Sequence, residues 1–282
     1  MIGCLIHEAV LFILKERRVQ DLPAGLQANL TPGAQISQVA PLTWRLSIPA
    51  GPAGSYRLAQ MDDYGSLQRR AFRWKAGTHI TLEARACSDS LPGTWGFGLW
   101  NDPFSMGILN RAGADGTKGQ LRLPALPNTA WFFYASPPSY LSLRDDLPAL
   151  GWLAATFQAK FLPALALTPA ALAVPLMIFP PIVRLARRWA RRAVKQDAFA
   201  LELDPTVWHT YDLRWEAKAA SFRVDGQTAL HSQVSPQGQM GLVIWVDNQY
   251  MALPPSGRLD YGMLSSPEPA WIEVRGLAIQ QE

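Results

Sequence analysis

From Thr78 to Ala86 the chain places Ile80, Leu82, Ala84 and Ala86 on one side and polar residues on the other, the period of two that marks a half-buried strand. The same period recurs in WHTYDLRWEAKAASFRVDG, Trp208 to Gly226, where Trp208, Tyr211, Leu213 and Trp215 alternate imperfectly with polar neighbours. After a polar turn at Glu216 to Ala219, Phe222 and Val224 resume the alternation before Asp225-Gly226, a pair suited to the positive φ of a tight reversal. Shorter runs at Gln35 to Ile48 and Ser55 to Met61 are separated by Pro49, Pro52 and glycines, as edge strands and turns are. Further apolar runs lie at Ala71 to Trp74, Trp95 to Trp100, Ala130 to Ala135, Phe199 to Leu203, Met240 to Tyr250 and Trp271 to Gln280. The pattern predicts an all-β chain folded as two antiparallel sheets. In WGFGLW, Gly96 and Gly98 weaken a strand unless a ligand or a crossing aromatic must approach the backbone closely.

One region breaks the period. Phe161 to Val183 carries no charged residue, a length that could cross a bilayer. Pro163, Pro169, Pro175, Pro180 and Pro181 argue against a span, because each breaks a helical turn and lipid offers no partner for the freed carbonyls. Ile182 to Lys195 follows at helical spacing, with Ile182, Leu185, Ala186, Trp189 and Ala193 on one stripe and Arg184, Arg187, Arg188, Arg191, Arg192 and Lys195 opposite. Two readings stand. The helix is a lid packed by its apolar stripe with solvated arginines, or it is an interfacial anchor on anionic lipid, with Arg184, Arg187, Arg188, Trp189, Arg191 and Arg192 as the contacts.

The 282 residues suffice for one large sandwich, read as an N-terminal extension over 1–34 and a sandwich over 35–282 interrupted by a helical insertion at 147–196. The net charge of +4 is local: without the six cations of the basic segment the balance is slightly acidic, which disfavours a nucleic-acid partner. Cys4 and Cys87 are too few for a disulfide framework or a cysteine zinc site, and His7, His79, His209 and His231 show no metal spacing. No metal or other cofactor is expected. His7 and Glu8 interrupt the apolar start of the chain, so a signal peptide is not expected, and the location implied is cytoplasmic or peripheral to a membrane. Val10, Leu11 and Leu14 suggest a short helix or strand docked on the body.

The hairpin from Trp208 to Gly226 resembles the one that follows the catalytic strand in laminarinase-like (family sixteen) glycoside hydrolases, members of the concanavalin A-like jelly-roll group. WGFGLW is similar to a groove-lining strand of that family, MGLVIWVDNQY to the strand that returns across the groove floor, and WIEVRGLAIQ to the closing strand, so the resemblance runs from Tyr56 to Gln280 in strand order. It implies a concanavalin A-like jelly-roll sandwich with a glycan-binding groove. The family's Glu-x-Asp-x-x-Glu is absent, and Ala130 to Ala135, in the equivalent place, has only aromatic residues and alanine. Retaining hydrolysis needs two carboxyl groups about 5 Å apart; the standard reaction is therefore not expected. Asp102 and Asp247 are the catalytic candidates, on the expectation that they meet across the groove, and both also read as turn and strand-end residues. Trp100, Asn101, Trp245 and Asn248 are the candidate ligand contacts. The function expected is binding of a glycan or glycolipid without standard hydrolysis. The alternatives are a diverged hydrolase with relocated carboxylates, or a peripheral membrane or partner-docking protein acting through 161–195.

Overall fold

The computed structural model describes residues 22–23, 25–103, 122–160 and 179–282. Sixteen strands are formed among them: β1 (Gln27–Leu30), β2 (Gln35–Ala40), β3 (Thr43–Ile48), β4 (Leu58–Asp62), β5 (Thr78–Ala86), β6 (Thr94–Trp100), β7 (Thr129–Ala135), β8 (Gly151–Ala159), β9 (Val194–Ala200), β10 (His209–Trp215), β11 (Ala220–Val224), β12 (Gln227–Ser232), β13 (Gly241–Asp247), β14 (Gln249–Ala252), β15 (Asp260–Met263) and β16 (Ala270–Gln281). One α-helix, α1 (Pro180–Ala193), leads directly into β9. The first sheet runs β1-β4-β13-β6-β7-β8-β9, the second β12-β11-β10-β5-β16-β3-β2, and β14-β15 forms a separate ribbon. The two seven-stranded sheets, antiparallel throughout, make a jelly-roll sandwich.

The alternation in β5 is realised residue for residue: Ile80, Leu82, Ala84 and Ala86 are buried and the positions between them half-buried. These side chains meet Trp95, Phe97 and Leu99 of β6 and Phe132 of β7 in one core that also takes in Tyr211, Leu213, Trp215 and Phe222 of the β10–β11 hairpin. Aromatic rings bridge the sheets. Trp95 stacks on Trp152 at 4.0 Å between centroids, the Trp152 indole N–H donates to the Tyr211 hydroxyl at 3.2 Å, and Phe222 meets Phe132 edge to face. Such geometry adds about 0.5–1.5 kcal/mol per pair to the burial itself.

Three boundaries differ from the expectation. β1, inside the supposed extension over 1–34, is an edge strand paired with β4. β8, inside the supposed insertion over 147–196, is an interior strand between β7 and β9. Its period does not show in the sequence because Trp152 to Thr156 are all buried, and a strand covered on both faces has no polar side to set the period. β12 continues the hairpin past Asp225-Gly226, making a three-stranded meander. Cys87 is a free thiol. The readings placed on Val10 to Leu14, on Cys4 and on most of 161–183 fall outside the described residues.

Candidate functional site

The outer face of the first sheet carries a second apolar cluster, separate from the inter-sheet core, built on Leu58, Phe133, Leu153, Val243 and Trp245 with Trp100 and Trp131 at its half-buried edge. Register explains how these residues meet. Trp245 lies opposite Gly96, and Gly96 opposite Phe133; Gly98 lies opposite Trp131. A Cβ at Gly96 would stand 2.9 Å from the Trp245 ring, and one at Gly98 2.7 Å from the Trp131 Cβ. The two glycines are therefore the hollow over which two tryptophans lie down, the crossing aromatics that the WGFGLW spacing called for. Trp131 stacks on Phe133 at 5.2 Å between centroids, and Trp245 and Trp100 flank it at 5.4 and 6.0 Å. Trp100 and Trp131 keep part of their faces open, whereas Trp245 is buried and donates its indole N–H to Thr94 Oγ1 at 3.0 Å.

Polar groups border this aromatic shelf. Asp62, buried at the end of β4, accepts on Oδ1 from Gln27 Nε2 at 2.8 Å and from the Gly65 amide at 2.7 Å, and on Oδ2 from Gln60 Nε2 at 2.8 Å. Burial raises its pKa from the ordinary carboxylate value, and the hydrogen bonds act against that shift. Gln60, half-buried and opposite Trp245, donates through Nε2 to Asp62 Oδ2 and to the Tyr64 hydroxyl at 3.4 Å. Tyr64 meets Trp100 edge to face, at 6.1 Å.

The four ligand candidates separate. Trp100 and Trp245 belong to the shelf, Trp100 as an accessible ring and Trp245 as its support. Asn101 is buried and ties strand ends, donating to Leu126 O and accepting from Asn128 N. Asn248 is fully buried, with its side chain bonded to Arg57 N, Ser55 O and Leu264 O. Neither amide is open to a ligand. Sequence reading passed over Trp131 because AWFFYA is apolar on both faces, so the pattern does not say which aromatics face outward.

The expected meeting of Asp102 and Asp247 does not occur. Asp247 stands opposite Thr94 at one end of the β6–β13 pair and Gly241 opposite Trp100 at the other, which sets the two acids about 20 Å apart along the strands. Asp102 has φ 46°, so the chain has already turned out of β6. Its carboxylate is 2.6 Å from Arg122 in a pair buried on both sides. Asp247 Oδ1 accepts from the Thr94 amide and hydroxyl and from the Gln249 amide, and the Tyr56 hydroxyl donates to Oδ2. Burial pushes its pKa up to about 7 against those hydrogen bonds. Asp62 is nearer but still out of reach: it lies opposite Val243, four positions from Asp247 on β13, or about 13 Å. Among the described residues, β7 presents only Thr129, Trp131, Phe133 and Ala135 to the outer face, and no group of three or more His, Cys, Asp or Glu residues could hold a metal ion.

No family model and no curated protein matches the sequence. Solved structures do match. The LamAcat structure from Zobellia galactanivorans is 11% identical over 95% of this chain and 95% of that one, at a TM-score of 0.46. The Bacillus licheniformis beta-glucanase is 10% identical over 94% and 96% of the two chains, at 0.46. The Emp47p carbohydrate recognition domain is 10% identical over 95% and 92%, at 0.43. The shared feature is a distant jelly-roll arrangement of sheets; the chemistry of the outer face is a property of this chain's own residues.

Proposed function

We propose that the outer face of the first sheet binds a glycan by stacking sugar rings on Trp100 and Trp131, and that it does so without paired-carboxylate hydrolysis. The observation that carries this reading is the position of the two half-open tryptophans, side by side on a sheet whose other face is already buried in the core. A flat apolar surface with polar side chains beside it, here Gln60 opposite Trp245 and Tyr56 packed on the same cluster, suits the apolar face and hydroxyl rim of a pyranose. Asp247 stands about 13 Å from Asp62 and about 20 Å from Asp102, beyond the roughly 5 to 10 Å spacing of acid-base pairs.

The test is titration calorimetry with laminarin, comparing wild type with Trp131→Ala and Trp100→Ala. Each stacked ring is expected to contribute about 1–2 kcal/mol, so each variant should weaken binding about five- to thirtyfold while keeping the wild-type circular dichroism. Binding that survives both substitutions, or release of reducing sugar from laminarin by wild type, would remove this reading.

A further inference from the structure

The sequence gives α1 an apolar stripe of Ile182, Leu185, Ala186, Trp189 and Ala193 that should dock on the sandwich. In the structure the helix docks by another face. Its two buried residues are Val183 and Arg187, one turn apart. Arg187 donates through Nη1 to Ser142 O and Leu253 O, both at 2.7 Å, and through Nη2 to Leu143 O, Arg144 O and the Asp145 carboxylate. Proline at both of the first two helical positions presets the start of the helix, and Pro180 and Arg184 pack against Gly257. The helix is thereby clamped between the loops on either side, with its rotation set by a buried arginine.

This rotation turns Leu185 and Trp189 outward, 59% and 44% exposed, with Arg188 and Arg192 exposed beside them. Phe179, at the N-terminal end, is 51% exposed. Asp145 is engaged by Arg187 and Arg191. Among the described residues, no ion pair involves Arg184, Arg188 or Arg192. A face that is merely solvated has no reason to carry Trp and Leu, and a protein-buried face has no reason to carry unmatched guanidinium groups. Both residue types together suit a boundary that is apolar on one side and anionic at its surface. The helix is also entered from a stretch of sequence without a charged residue.

We propose that this face of α1 rests on an anionic lipid bilayer, with Leu185 and Trp189 at the level of the headgroups and acyl chains and Arg188 and Arg192 against lipid phosphates. Of the six contacts expected from the sequence, Arg187 is thereby reassigned to holding the helix in place, and Arg191 to Asp145. The proposal is independent of the glycan reading.

The experiment is co-sedimentation of the full chain with vesicles of phosphatidylcholine, with and without phosphatidylglycerol. Wild type should partition onto the phosphatidylglycerol vesicles and leave them at high salt. Arg188→Gln with Arg192→Gln should lower the partition coefficient about 30-fold, about fivefold per arginine, and Leu185→Glu should abolish it, all with unchanged circular dichroism. Arg223→Gln, on the second sheet, should bind as wild type. Absence of binding by wild type, a double variant that binds normally, or an equal loss in the Arg223 variant would overturn the proposal. So would a wild-type dimer that Leu185→Glu dissolves and that ignores vesicles, since the face would then be a contact between copies.

Discussion

Asp247 shows how a single carboxyl can look catalytic and be structural. A pKa of about 7 on a sheet face is the signature of a general acid, yet both of its oxygens are held by Thr94, Gln249 and Tyr56. Its folded-state pKa lies above the unfolded value, so it favours the folded state at acidic pH, and that contribution is lost as pH rises from about 4 to about 7. Asp247→Asn keeps an Oδ1 acceptor and has no charge to bury. Urea unfolding at pH 5 and pH 8 should therefore show the variant gaining on wild type at the higher pH, by up to about 2.5 kcal/mol; an equal difference at both values would contradict the assignment. Asp102 is structural for a different reason. Asp102→Ala would take the paired carboxylate from the buried Arg122 guanidinium and should cost about 3–5 kcal/mol in the same assay. Trp245→Ala, which removes the buried support of the shelf, should cost about 3–5 kcal/mol as well, in contrast to the half-open Trp131.

For the elements, legibility in the sequence follows burial. β5 and the β10–β11 hairpin alternate because one face meets the core and the other faces outward, and both are plain in the sequence. β8 and β13 are covered on both faces; β13 reads as a strand with the help of the family resemblance, whereas β8 falls within the expected insertion. The helix was found but its orientation was not, since the apolar stripe is the natural docking face and a buried arginine overrides it. Arg187→Ala removes five donated hydrogen bonds and should free the helix. Limited proteolysis should then cut between Arg184 and Arg192 faster than in wild type, with the sandwich intact. Protection equal to wild type would mean that Val183, the Arg191–Asp145 pair and the packing on Gly257 hold the helix without Arg187.

In the whole molecule, the two sheets share one core in which Phe97, Phe132 and Trp152 of one sheet touch Tyr211 of the other. Neither sheet can keep its inner face buried once the other has gone. Tryptophan fluorescence and far-ultraviolet circular dichroism should therefore report a single coincident transition in denaturant, and separated midpoints would show that the sheets come apart in steps.

The residues alone determined the all-β class, the hairpin, the close approach at Gly96 and Gly98, and the lack of a Glu-x-Asp-x-x-Glu strand, because each of these is local: a period, a turn pair, a missing side chain. The tertiary structure decided which aromatics form the outer shelf, that Asp102 and Asp247 stand at opposite strand ends, and which side of α1 meets the sandwich. Those depend on strand register and on where a buried guanidinium finds its carbonyls, and both are set by residues far apart in the chain.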